Sequence, residues 1–157
     1  MSTVPNAVRI REALENAIVD GRFPPGARLA ARRITAAGLA ALEAAHEDCR
    51  RRAEAGDIDA YYAANSEFHA CIYRATHNAF LEREASRLHA VLQPYRRMQL
   101  QVRNRMARSF AEHDAVIAAI RDGDAAAAAE AMRDHVAVQG DRFHDLLAAM
   151  RQDARGG

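Results

Sequence analysis

Four polar residues, Asn65, His69, His113 and His135, stand where the surrounding pattern calls for apolar side chains. From Ile58 the chain runs Ile58, Tyr62, Asn65, His69, Ile72, Thr76, in alternating steps of four and three. That spacing is the core-facing stripe of an amphipathic helix. An amide and an imidazole therefore lie one turn apart on the face that should be buried. A buried polar group left without a partner costs about 1–3 kcal/mol, so the pair needs a shared purpose. Side chains at i and i+4 can converge on one ion. His113 belongs to a second stripe, Phe110, His113, Ile117, Ile120, and His135 lies one turn beyond Met132. Three imidazoles and an amide oxygen suit Zn²⁺, Ni²⁺, Mn²⁺ or Fe²⁺. Each of the four, taken singly, also fits a core or edge residue bonded to backbone, and no compact metal motif such as HExxH joins them.

The remaining histidines show that stripe position alone is not diagnostic. His46 also falls on an apolar stripe, between Leu42 and Cys49. His77, beside Asn78 at a helix end, reads as a surface residue, and His89 and His144 as structural or exposed ones. Two arginine clusters, Arg50-Arg51-Arg52 and Arg96-Arg97, offer charge for anions. Such runs are usually solvated faces. Arg96 and Arg97, beside Tyr95 and a kink expected at Pro94, are the better candidates to bind a ligand in an internal pocket.

The elements that carry these residues are all helical. Pro5 to Asp20 reads as a short amphipathic helix ended by Gly21 and by the turn Phe23-Pro24-Pro25-Gly26. Thr35 caps a helix that runs to about Gly56, and Asp57 caps the next, Ile58 to about His77. A long helix is expected from about Asn78 to Arg105, kinked at Pro94. Ser109-x-x-Glu112 reads as a capping box opening a short helix through Ile120. After the turn at Arg121-Asp122-Gly123-Asp124, a last helix is expected to reach about Gln152. No strand pattern appears, and the short connections imply antiparallel neighbours. The fold expected is an all-α antiparallel helical bundle.

Composition agrees. The 157 residues fit one domain with a small appendage, half of them are hydrophobic, and aromatics are only 6%. Alanine is nearly a quarter of the chain, which favours closely packed helices. All 22 basic residues are Arg, most simply the mark of a GC-rich genome, and the formal charge of +1 announces no nucleic-acid partner. Cys49 and Cys71 form no CxxC and read as reduced, buried thiols of a cytoplasmic protein. No apolar run approaches a membrane span, and the N-terminus lacks the apolar core of a signal peptide.

Asn65-x-x-Phe68-His69, then Asn78, then Ser109-x-x-Glu112-His113 with Ile117 and Ile120, then Met132-x-x-His135, resemble the FCD effector domain of the FadR-like branch of GntR-type bacterial transcription regulators. The resemblance covers Ala30 to about Met150. The segment from Ile10 through Gly21-x-Phe23-x-Pro25-Gly26-x-x-Leu29 is similar to the opening of the GntR winged-helix domain. After Leu29, however, the chain passes straight to what looks like effector domain, with no recognition helix or β-wing between. The division this implies is residues 1–29, a winged-helix remnant; 30–152, an FCD-like bundle; and 153–157, a tail.

By resemblance, Asn65, His69, His113 and His135 hold a divalent metal ion, with Asn in the place of the commoner Asp, and a small carboxylate effector completes its shell. The resemblance further implies a homodimer, no membrane partner, and operator DNA as the partner of relatives that carry the whole winged-helix domain. This chain alone is expected not to bind an operator specifically. Two readings from other classes are a small helical-bundle metalloenzyme and a DNA-free dimerisation module. The enzyme lacks an obvious general base, since Glu67 is two residues from both Asn65 and His69 and points elsewhere.

Overall fold

The computed structural model describes residues 26–91 and 93–136. The expected helix from Pro5 to Asp20, His144 and the expected C-terminal reach of the last helix lie outside them. Among the described residues there are helices and turns and no strand. The helices are α1 (Ala27–Arg33), α2 (Ala36–Ala55), α3 (Ile58–Ala75), α4 (Ala79–Val91), α5 (Gln93–Gln99) and α6 (Arg105–Arg121). A further helix, α7, begins at residue 125 and is described to 136.

Local chemistry accounts for most of the helix starts. Thr35 is extended and its hydroxyl accepts from the Gly38 amide, opening α2; the Asp57 carboxylate accepts from the Ala60 amide, opening α3. Asp124 accepts from the amides of Ala126 and Ala127 and so caps α7. Each side chain satisfies amides that the helix itself cannot. Gly56, at φ 71°, ends α2 in the left-handed region that glycine adopts without strain. Only Asp57 then separates it from α3, so the two helices return antiparallel.

Helix α3 is the axis of the bundle. It packs against α1, α2, α4 and α5, while α6 packs against α1 and α2. Its buried residues include Tyr61, Phe68, Cys71 and Ile72, which join Leu42 and Cys49 of α2, Val116 and Ile120 of α6 and Met132 of α7 in one core. Removing a side chain such as Leu42, Ile72 or Phe68 from water contributes about 1.5–3 kcal/mol each. The stripe read from the sequence is the buried one: Tyr62, Asn65, His69, Ile72 and Thr76 are all buried, and Ile58 is partly so. Helix α1 runs across residue 30 without a break and buries Ala27, Ala30 and Ala31. It is tied down by Arg33, whose guanidinium donates to the Thr76 carbonyl at 3.0 Å.

Two expectations fail. The long helix from Asn78 to Arg105 is instead α4, α5 and a turn over residues 100–104, with Asn104 in the left-handed region at φ 62°. Pro94 lies in the first turn of α5, where a missing backbone N–H costs nothing. The Ser109–Glu112 capping box is also absent. Helix α6 begins four residues earlier, at Arg105; Ser109 is buried within it, and the Glu112 carboxylate bonds elsewhere.

Candidate metal centre

Three helices deliver the polar residues to one place. Helix α3 presents Asn65 and, one turn on, His69; α6 presents His113; α7 presents His135. All four are buried, the three imidazoles to 1% exposure or less. One ring nitrogen from each histidine lies within 4.8 Å of the others. His69 Nε2 and His135 Nε2 are 3.3 Å apart with their rings stacked, and both rings meet His113 edge-on. Phe68 stacks on His113 with ring centroids 4.1 Å apart, closing one side of the cluster with a fixed apolar wall.

The cluster is short of partners. Asn65 Oδ1, His69 Nδ1 and both ring nitrogens of His113 are buried with no hydrogen-bond partner among the described residues. Burial pushes the His69 and His113 imidazoles well below the ordinary histidine range, and the neighbouring His135 adds to the effect. His135 is lowered by burial too, although Glu112 opposes the shift. The three rings are therefore neutral near pH 7, the state in which imidazole ligates metal. A cation among the rings would give one nitrogen of each imidazole, and the Asn65 amide oxygen, a common partner, and the residues present fit one.

One functional candidate was hidden in the sequence. Glu112 Oε2 accepts from His135 Nδ1 at 2.6 Å, and both its oxygens accept from the Arg105 guanidinium at 2.9 and 3.0 Å. Burial works against ionisation of this carboxyl, but the bonds from His135 and Arg105 outweigh it and hold its pKa at about 2. The available signals were the two-turn spacing from Arg105 to Glu112 on one helix and the adjacency of Glu112 to His113. Reading Glu112 as a cap obscured both.

Beside Asn65 lies a small cavity bordered by Tyr62, Arg96, Leu100, Arg105 and Ser109. The structure brings Arg96 to this cavity and not Arg97. The Arg96 side chain is buried and donates to His89 Nδ1 at 2.9 Å; His89 Nε2 then donates to the Ser66 hydroxyl. Arg97, the next residue of α5, is exposed and paired with Asp59. His46 stays outside the cluster, stacked on Phe110 and donating from Nε2 to Asp114 at 2.6 Å. His77 is exposed. Each Arg of the 50–52 run is paired with an acidic residue of its own helix, the solvated face expected of such a run.

Buried polar side chains thus project inward from three helices of an all-α bundle. The FCD domain family matches residues 7–138, and the chain belongs to that family, as a GntR/FadR-like FCD protein. Among solved structures it is similar to E. coli McbR/YncC, with 21% sequence identity and a TM-score of 0.63. The match covers 86% of this chain and 63% of that one, so the chain spans less than two thirds of that structure's length. No curated protein matches it. No helix among the described residues is long and apolar enough to cross a membrane.

Proposed function

We propose that the chain is the metal- and ligand-sensing effector domain of a GntR-type transcription regulator. Asn65, His69, His113 and His135 hold one divalent ion, and a small organic acid binds in the adjoining cavity. The observation that carries the reading is the convergence of three neutral, buried imidazoles from three helices, with Asn65 Oδ1, His69 Nδ1 and the His113 nitrogens left without hydrogen-bond partners among the described residues. The effector's carboxylate would meet the ion and the Arg96 guanidinium, which is buried and bonded to a neutral imidazole. Arg97 drops out of the ligand set, because it is exposed and engaged by Asp59.

The metal's contribution is a fixed positive charge that polarises and orients a bound carboxylate. The chain's contribution is a shaped site: Phe68 walls the imidazoles on one side, Tyr62 borders the cavity, and Arg96 supplies a second charge. A regulator of this kind works by binding its effector more tightly in one conformation than in another. As in the relatives it resembles, we infer a homodimer whose partner in a complete regulator is operator DNA. The enzyme reading gains nothing here, since Glu67 is exposed and paired with Arg74 while Glu112 is occupied by Arg105 and His135.

Titration calorimetry of the metal-loaded protein with a panel of two- to six-carbon mono-, di- and tricarboxylates tests this. At least one acid should bind, and its affinity should fall at least tenfold in Arg96→Gln or after metal removal. Binding indifferent to both changes would contradict the assignment.

A further inference from the structure

We propose that Glu112 is the positioning residue of the centre, holding His135 in the tautomer whose bare Nε2 faces His69, while Arg105 holds Glu112. The metal reading above gives the proposal its consequence, but the tautomer stands on the geometry alone.

An ionised carboxylate only accepts hydrogen bonds. At 2.6 Å from Glu112 Oε2, His135 Nδ1 must therefore carry the proton. In the neutral ring Nε2 is then a lone pair, and it points at His69 Nε2, 3.3 Å away. Neither of the other two rings bonds a carboxylate among the described residues: His69 makes its polar contact with the His135 ring, through Nε2, and both nitrogens of His113 lack a partner there. His135 is thus the imidazole whose orientation is set in advance.

The carboxylate is itself fixed. Arg105 is only 6% exposed and engages both Glu112 oxygens through the parallel fork of its guanidinium, a geometry with directional specificity that lysine cannot reproduce. Helix α6 consequently does two jobs with neighbouring residues, offering His113 to the centre and orienting the His135 ring of α7 with Glu112. A carboxylate accepting from the far nitrogen of a ligating imidazole makes the near nitrogen a better donor to metal. Arg105 also borders the cavity beside Asn65 and Arg96, so the orienting relay begins at the cavity wall.

The test uses ¹⁵N-labelled metal-free protein, with the His135 ring shifts assigned by their loss in His135→Gln, and metal titrations of wild type, Glu112→Gln and Arg105→Lys. In the wild type His135 should be the Nδ1–H tautomer. Glu112→Gln should shift it toward a mixture and weaken Zn²⁺ affinity about 10–100-fold, with circular dichroism unchanged. Arg105→Lys should fall between the two. An Nε2–H tautomer in the wild type overturns the proposal, as does unchanged tautomer and affinity in Glu112→Gln. Should Glu112→Gln fail to fold, the wild-type tautomer and the Arg105→Lys affinity decide in its place. A wild type that takes up no metal overturns the metal reading alone, and the tautomer then decides the role of Glu112 by itself.

Discussion

His69 Nε2 and His135 Nε2 approach to 3.3 Å across the bundle, from α3 and α7, residues 66 apart in sequence. A tetrahedral ion with metal–nitrogen bonds of about 2.0–2.1 Å sets two of its ligands about 3.3–3.4 Å apart. As a hydrogen bond between two neutral rings the same distance is long. The spacing suits two ligands of one ion better than a donor and its acceptor.

Replacing His113 should separate metal binding from folding. Both its nitrogens are buried without partners among the described residues, so in the metal-free protein the ring destabilises by about 1–3 kcal/mol. Its stacking on Phe68 offsets about 0.5–1.5 kcal/mol of that. His113→Leu should therefore leave metal-free stability equal or raise it by about 1 kcal/mol, while abolishing the increment in Tm on adding Zn²⁺. Urea unfolding with and without metal measures both; a metal increment as large as in the wild type would contradict the expectation.

The metal-free protein should lose stability on mild acidification. Burial, with Arg96 nearby, lowers the His89 pKa to about 3, and burial lowers His69, His113 and His135 as well. Free histidine titrates near ~6.5, so the unfolded chain takes up protons before the folded one does. The stability these groups contribute is whole above that value and is lost as pH falls from it toward the folded pKa values. His89 alone should account for about 2 kcal/mol between pH 7 and pH 5. Urea midpoints of metal-free protein at pH 8, 6 and 5 provide the check, and a flat series would refute it.

Asn65→Asp should tune the site in two opposed directions. The amide is buried one turn from His69 and its oxygen has no hydrogen-bond partner among the described residues, so a carboxylate there adds a charge directly to the centre. Metal affinity should rise about tenfold or more, while affinity for an anionic effector should fall as the cavity's positive charge is reduced. Competition against a metallochromic chelator and calorimetry with the bound acid measure the two; movement of both in the same direction would count against the proposed shared site.

Gly26→Ala probes the start of the described bundle. Gly26 sits at φ 76°, and a Cβ there would lie 2.7 Å from Thr76 Cγ2, in the buried joint between α1 and α3. The left-handed backbone alone costs a non-glycine residue about 1–2 kcal/mol, and the contact adds to it. Thermal unfolding should show a loss of at least that size; a neutral substitution would mean that α1 is not seated there as described.

How much could be read from the chain followed from how local each signal is. Thr35, Asp57 and Asp124 cap helices through bonds to amides two or three residues away, and those starts were legible. The alternating stripe through Asn65 and His69 was legible because helical periodicity is local as well. Ser109 and Glu112 mimic a local cap, yet Glu112 is claimed by Arg105 and by His135, 23 residues on. A tertiary ion pair overrode the local pattern, and no spacing rule announces that. Arg96 and Arg97 were indistinguishable in sequence, being consecutive; the packing of α5 buries one and exposes the other.

The most direct measurement of the central claim is the metal stoichiometry of the purified chain, by native mass spectrometry after stripping and reloading with Zn²⁺, Ni²⁺ or Mn²⁺. The account predicts one ion per chain in the wild type, weaker retention in Asn65→Ala and none in His69→Ala, with circular dichroism confirming that each variant is folded. A wild type that holds no stoichiometric ion under any of the three loadings, or a His69→Ala variant that holds one as firmly as the wild type, would contradict it.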